Sequence, residues 1–173
     1  MKSEKNDTKG KLAYISFDDG WQGNLKLIPI IEKYNVHITI FIAVNPIMSG
    51  NFWWEFVAKK VGYTQMQNFK NLPHDEFESQ LKKIKTEVAD LQRSTMTIDE
   101  LETITKHPLI SIQSHTINHP ILTKLPDDLL DFELSESQKQ LEKITGKSIF
   151  AFSYPNGSIS HREINAAKKY YKI

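Results

Sequence analysis

Apolar and polar positions along this chain follow two alternating periods. Leu12 to Phe17 is a short apolar run of β-forming residues that stops at Asp18-Asp19-Gly20, the pattern of a strand ending in a polar turn. Asn24 to Tyr34 carries Leu25, Ile28, Ile31 and Tyr34 at helical spacing. Val36 to Val44 is dominated by β-branched and aromatic residues and predicts a buried strand. Strand, helix and strand within about thirty-five residues make a βαβ unit, with parallel pairing and a right-handed crossover.

Between Asn45 and Thr95 the pattern changes. Phe52, Trp53, Trp54, Phe56 and Val57 cluster, and Asp75 to Arg93 predicts an amphipathic helix. The segment reads as a helical insertion, its tryptophans packing a core of their own in preference to offering a sugar-stacking platform. Alternation then resumes. Thr97 to Lys106 predicts a helix opened by a capping box, Thr97 with Glu100 three residues on. Leu109 to Gln113 predicts a strand, Asp127 to Thr145 a long helix ended by Gly146, and Ile149 to Ser153 a further strand. Ser160 is expected to cap a helix from His161 to Lys169, with a strand beginning over Tyr170 to Ile173. Repeated β-then-α units predict an α/β fold, as an open parallel sheet or a barrel.

Composition narrows the classes. At 173 residues the chain suits one domain, 12–173, behind a polar tail over 1–11. The 22 basic and 21 acidic side chains nearly cancel, which gives no electrostatic reason to expect nucleic acid or an anionic membrane as partner. Cysteine is absent, which excludes disulfides and thiolate metal sites. No apolar run has the length of a membrane-spanning helix, and Met1 to Lys11 lacks the apolar core of a signal peptide. The expectation is a cytoplasmic protein if the chain is complete, and an extracytoplasmic one if an export signal has been removed.

Three polar clusters fall at carboxyl ends of predicted strands, where α/β folds gather their chemistry. They are Asp18-Asp19-Gly20, Ser114 to Pro120, and Tyr154-Pro155-Asn156-Gly157. His115 and His119 stand four apart, so a helical turn or a tight loop can aim both imidazoles at one point. Alone, such a pair is more often a surface feature. Adjacent carboxylates at a strand end change the picture, because they repel and need a cation or distinct roles. A turn with a helix cap is the simpler reading, but a cap does not need two acids. One carboxylate and two histidines make a three-ligand site with open positions, the arrangement of catalytic metals, with the second aspartate ligating and the first left free as a base.

Ser16-Phe17-Asp18-Asp19-Gly20, Ser114-His115-Thr116-Ile117-Asn118-His119-Pro120 and Phe152-Ser153-Tyr154-Pro155-Asn156-Gly157 resemble the first three motifs of the polysaccharide deacetylases, carbohydrate esterase family 4. The resemblance runs from about Leu12 to the C-terminus and leaves out the insertion, 45–95. It implies a distorted, incomplete (β/α) barrel and metal-dependent removal of acetyl groups from N-acetylated sugars. By the resemblance Asp19, His115 and His119 hold a divalent metal, Zn²⁺ first with Co²⁺, Fe²⁺, Ni²⁺ or Mn²⁺ as alternatives, and Asp18 is the base. The backbone N–H of Asn156 faces the oxyanion, and Tyr154 and Pro155 contact substrate.

Two departures stand out. Many members begin the third motif with an arginine that orients the base, followed later by a tyrosine. Here Ser153 and Asn156 take those positions, which is closer to deacetylases of poly-N-acetylglucosamine. The family's two downstream motifs, one carrying the general-acid histidine, have no counterpart before Ile173. That predicts an unfinished barrel, self-association through its open edge, and weak action on amides. It also keeps alive a non-catalytic reading, a carbohydrate-binding or assembly module built on the same fold. A non-haem iron oxygenase shares the ligand types but sits on an all-β fold, against the alternation seen here.

Overall fold

A computed structural model describes residues 13–172. Its centre is a parallel sheet in the order β1-β2-β3, formed by Ser16–Phe17, Ile38–Ile42 and Ile110–Ser114. Phe17 pairs with Ile40 and Ile40 with Ile112; β2 and β3 end level at Ile42 and Ser114, and β1 ends two residues earlier. β2 is buried at every position, as its unbroken apolar run requires. Its Ile40 and Ile42 are at most 1% exposed, and each such side chain contributes about 1.5–3 kcal/mol. Among the described residues the sheet is open, so the fold is a mixed helix and parallel-sheet architecture without barrel closure.

Helices and strands alternate as expected, with four corrections. The first predicted helix is split into a 3₁₀ stretch, Gln22–Leu27, and α1, Ile28–Tyr34. Pro29 is the cause: it has no N–H to donate to Leu25, so regular α-helix cannot run through it. The helix predicted to reach Arg93 ends at Glu87. Beyond it, Asp90 stands at φ 58°, and Arg93 donates its guanidinium N–H groups to the carbonyls of Ile47, Met48 and Met96. The strand predicted over Ile149 to Ser153 reduces to a single bridge between Ser114 and Phe152. The side-chain amide of Gln113 intercepts the ladder there, its oxygen accepting the N–H groups of both Phe150 and Ala151.

The C-terminal residues are likewise not a strand. Tyr171 is buried and its hydroxyl bonds the Leu134 carbonyl and Ser114 Oγ, which draws residues 170–172 onto α7 (Asp127–Thr145). Leu12, the 1–11 tail and Ile173 lie outside the described residues.

The insertion folds as four helices: α2 (Val44–Ser49), α3 (Trp53–Val61), α4 (Tyr63–Phe69) and α5 (His74–Glu87). α2 belongs to the main core through Val44 and Ile47. The others enclose a second core of Trp53, Val57, Met66, Phe69, Phe77, Leu81 and Ile84. α6 (Ile98–Thr105) and α8 (His161–Ala167) start at capping boxes on Thr97 and Ser160. No helix among the described residues is long and apolar enough to cross a membrane.

Candidate metal centre

The site lies at the carboxyl ends of β1 and β3. After Phe17 the chain turns tightly, Gly20 N–H donating to the Asp18 carbonyl at 3.0 Å, with Asp19 at φ 78° and Gly20 at φ 84°. Gly20 is required twice, by that φ and by space. A Cβ there would stand 2.8 Å from Ile42 Cδ1 and 2.9 Å from Ile47 Cδ1. The turn leaves Asp18 exposed and Asp19 half-buried.

His115 to His119 form a loop, not a helical turn, with Thr116 at φ 75° and His119 at φ 55°. Val44 and Asn45 N–H groups bond the carbonyls of Thr116 and Ile117 at 3.1 and 2.8 Å. From the other side Glu133, buried on α7, accepts Ile117 N–H at 2.8 Å, Asn118 N–H at 2.9 Å and Asn118 Nδ2 at 2.6 Å. Burial pushes the Glu133 carboxyl up, and these donors work against that rise. Glu133 was not foreseen from the sequence. The available signal was a charged residue on the face of α7 that also carries Leu130, Leu134, Ser137 and Leu141. Glu133→Ala should destabilise the fold by about 2–4 kcal/mol, since it strands donors that have no other partner. Metal affinity should fall about 10–100-fold, as for other groups that hold ligands in place. Thermal denaturation and metal titration measure the two effects, and unchanged values in both would remove Glu133 from this role.

The imidazoles are set by their surroundings. His115 Nδ1 lies 2.8 Å from the Ser153 carbonyl, which only accepts, so Nδ1 carries the proton and Nε2 presents its lone pair. His119 is walled by Trp54 and Phe52, ring centroids 4.6 and 5.7 Å away, and its carbonyl accepts Trp53 Nε1–H at 3.0 Å. Nε2 of His115 and of His119 stand 3.4 and 3.2 Å from Asp19 Oδ1. Asp19 Oδ2 accepts Trp21 Nε1–H at 3.0 Å, whereas Oδ1 is buried with no donor aimed at it. Burial opposes ionisation of Asp19, but the two imidazoles, where protonated, outweigh it and hold the carboxyl well below the usual range. Burial also lowers His119, which favours its neutral, ligating form.

These residues fit a metal. Ligands about 2.0–2.2 Å from a tetrahedral cation lie about 3.3–3.6 Å apart, close to the separations observed between Oδ1 and each Nε2. Among the described residues Asp19, His115 and His119 are the one such group, with their ligand atoms within 4.8 Å of each other.

Asp18, Asp19, His115, His119 and Asn156 line one cleft of about 320 Å³. Asp18 Oδ2 accepts the Ser153 hydroxyl at 3.2 Å. Ser153 therefore touches both sides of the site, its hydroxyl on Asp18 and its carbonyl on His115. Tyr154 and Pro155 are not among the residues that line this cleft. Pro155 is buried, and Tyr154 packs edge-on to Phe152 at 4.9 Å. His74 lines a separate cavity and His161 is exposed on α8. The sequence reading missed the far wall, which the insertion supplies through Trp54, Tyr63, Met66, Gln67 and Lys70.

A profile of the family described as polysaccharide deacetylase matches residues 5–171. The chain belongs to that family. YxkH of Bacillus subtilis (strain 168), whose own name places it provisionally among polysaccharide deacetylases, is 22% identical over 170 residues, 98% of this chain and 45% of YxkH. Among solved structures, the Streptococcus pyogenes deacetylase PplD in complex with acetate superposes with a TM-score of 0.67 at 19% identity, over 96% of this chain and 56% of PplD. IcaB from Ammonifex degensii gives 0.61 at 16% identity, over 94% of this chain and 57% of IcaB. At these identities the structures establish a shared fold. The chain spans about half the length of the relatives it matches.

Proposed function

We propose that the chain removes acetyl groups from an N-acetylated sugar or polysaccharide, in a reaction that depends on a divalent metal held by Asp19, His115 and His119. The observation that carries this reading is the convergence of two buried imidazole Nε2 atoms on an unpartnered carboxylate oxygen, with a second carboxylate beside it in the same cleft. Zn²⁺ is the first candidate, from the two-imidazole, one-carboxylate donor set. When bound, such a cation supplies Lewis acidity, which lowers the pKa of a water and polarises an acyl oxygen.

The chain's own residues do the rest. Asp18 is exposed, and the Ser153 hydroxyl fixes one of its oxygens, leaving the other to take a proton from the attacking water. In this chain the serine takes over the orienting role that an arginine fills in many relatives. Asn156 lines the same cleft at φ 60°, and its N–H is proposed to donate to the acyl oxygen as negative charge develops. Hydroxide adds to the acyl carbon, the C–N bond breaks, and acetate and an amine leave. The departing nitrogen must take a proton, returned by Asp18 or supplied by solvent. Apart from the proposed ligands and base, the titratable side chains lining the cleft are Tyr63 and Lys70, and no further histidine or carboxylate stands there.

An activated aryl acetate needs no such proton, because its leaving group departs as an anion. Metal-dependent hydrolysis of 4-nitrophenyl acetate is therefore expected. N-acetylglucosamine oligomers should turn over more slowly, by about 10²–10⁴-fold, the usual contribution of a positioned acid. Ester hydrolysis at the same rate after chelation of metal would overturn the reading.

A further inference from the structure

The cleft wall that faces the three motifs comes from the insertion, and its residues are spaced by design of the helix. Tyr63, Met66, Gln67 and Lys70 stand at i, i+3, i+4 and i+7, which places them on one face of α4 and its C-cap. Met66 is buried and anchors that face to the insertion core. Gln67 and Lys70 are half-buried, and Tyr63 is 70% exposed at the cleft's edge. Lys70 Nζ donates to Asn156 Oδ1 at 2.9 Å, which ties the helix to the third-motif loop and fixes its face relative to the metal ligands.

An exposed tyrosine by itself is ordinary. This one shares a face with an amide and an ammonium and borders the same cavity as Asp18 and His119. A flat aromatic ring matches the apolar C–H face of a pyranose, and an amide one turn away matches its hydroxyl or acetamido groups.

We infer that α4 is the glycan-recognition element: Tyr63 stacks on the sugar next to the one being deacetylated, and Gln67 hydrogen-bonds it. The inference rests on reading the cleft as a deacetylase site, and it deepens that reading by naming the residues of this chain that would contact the neighbouring sugar.

The probe is the N-acetylglucosamine tetramer, titrated calorimetrically into the metal-loaded chain beside the monosaccharide. The wild type should bind the tetramer more tightly than the monosaccharide. Tyr63→Ala should weaken tetramer binding about 3- to 10-fold, the range of one aromatic contact. Tyr63→Trp should restore it, and Gln67→Ala should weaken it as well. Metal stoichiometry should be unchanged in all three. Tyr34→Ala removes another well-exposed tyrosine, on α1 and outside the cleft, and should leave tetramer affinity at the wild-type level. The inference falls if the wild type does not prefer the tetramer, if Tyr63→Ala binds it as well as the wild type, or if Tyr34→Ala weakens it equally. Failure of the deacetylase reading is seen separately, in the chelator response of 4-nitrophenyl acetate hydrolysis, which needs no glycan contact.

Discussion

His115→Ala and His119→Ala are each expected to lose tight divalent-metal binding, by more than about 100-fold, since even groups that merely hold a ligand are worth 10–100-fold. Each substitution removes one of the three proposed ligands. The surroundings leave no substitute, because the cleft's remaining side chains include no other imidazole. Both rings are buried, and the Nδ1–H of His115 is committed to the Ser153 carbonyl, so Nε2 is the atom left for a cation. Titration calorimetry reads the effect directly, with circular dichroism to confirm that each variant is folded. A double variant that still takes up one equivalent of metal would show that the ligands lie elsewhere.

The two aspartates should separate just as sharply. Asp18→Asn keeps the hydrogen bond from Ser153 in shape but cannot accept a proton, so turnover should drop about 10²–10⁴-fold with metal retained. Asp19→Asn should lose both, because Oδ1 is the oxygen the two imidazoles face. The structure gives the reason for the asymmetry. Asp18 is exposed and outside the ligand cluster, whereas Asp19 is half-buried and held by Trp21. Ester hydrolysis and metal content measured on the same preparations check both roles. If Asp18→Asn loses metal and Asp19→Asn keeps it, the assignments are reversed.

How much of this was legible depends on how local the cause was. α7 begins at Asp127 and ends at Thr145, the bounds read from the sequence, because Gly146 in the left-handed region stops it by a local rule. The capping boxes at Thr97 and Ser160 are likewise local, four residues wide. The grouping of Asp19, His115 and His119 was legible for a topological reason: loops that follow the strands of one parallel sheet leave it at the same, carboxyl edge.

What escaped was set by distant partners. Nothing near Ile149 to Ser153 reveals that the Gln113 side chain will occupy its backbone donors. Nothing near Tyr170 shows that Tyr171 will turn inward to Ser114 and Leu134. The insertion's role in the cleft was hidden because it carries no motif. Its contribution is a helix face whose meaning appears once Lys70 is seen to meet Asn156. Ser153 had been noted as standing where relatives carry arginine, but its double contact with Asp18 and His115 needed the fold.

Catalysis by this chain is proposed to require one divalent cation at Asp19, His115 and His119. The most direct test titrates Zn²⁺ into chelator-treated wild-type protein while acetate release from 4-nitrophenyl acetate is followed. Activity should start near the uncatalysed background, rise in proportion to added metal and level off at about one equivalent, as a single three-ligand site requires. Full activity before any metal is added, or a rise that continues in the His115→Ala/His119→Ala double variant, would contradict it.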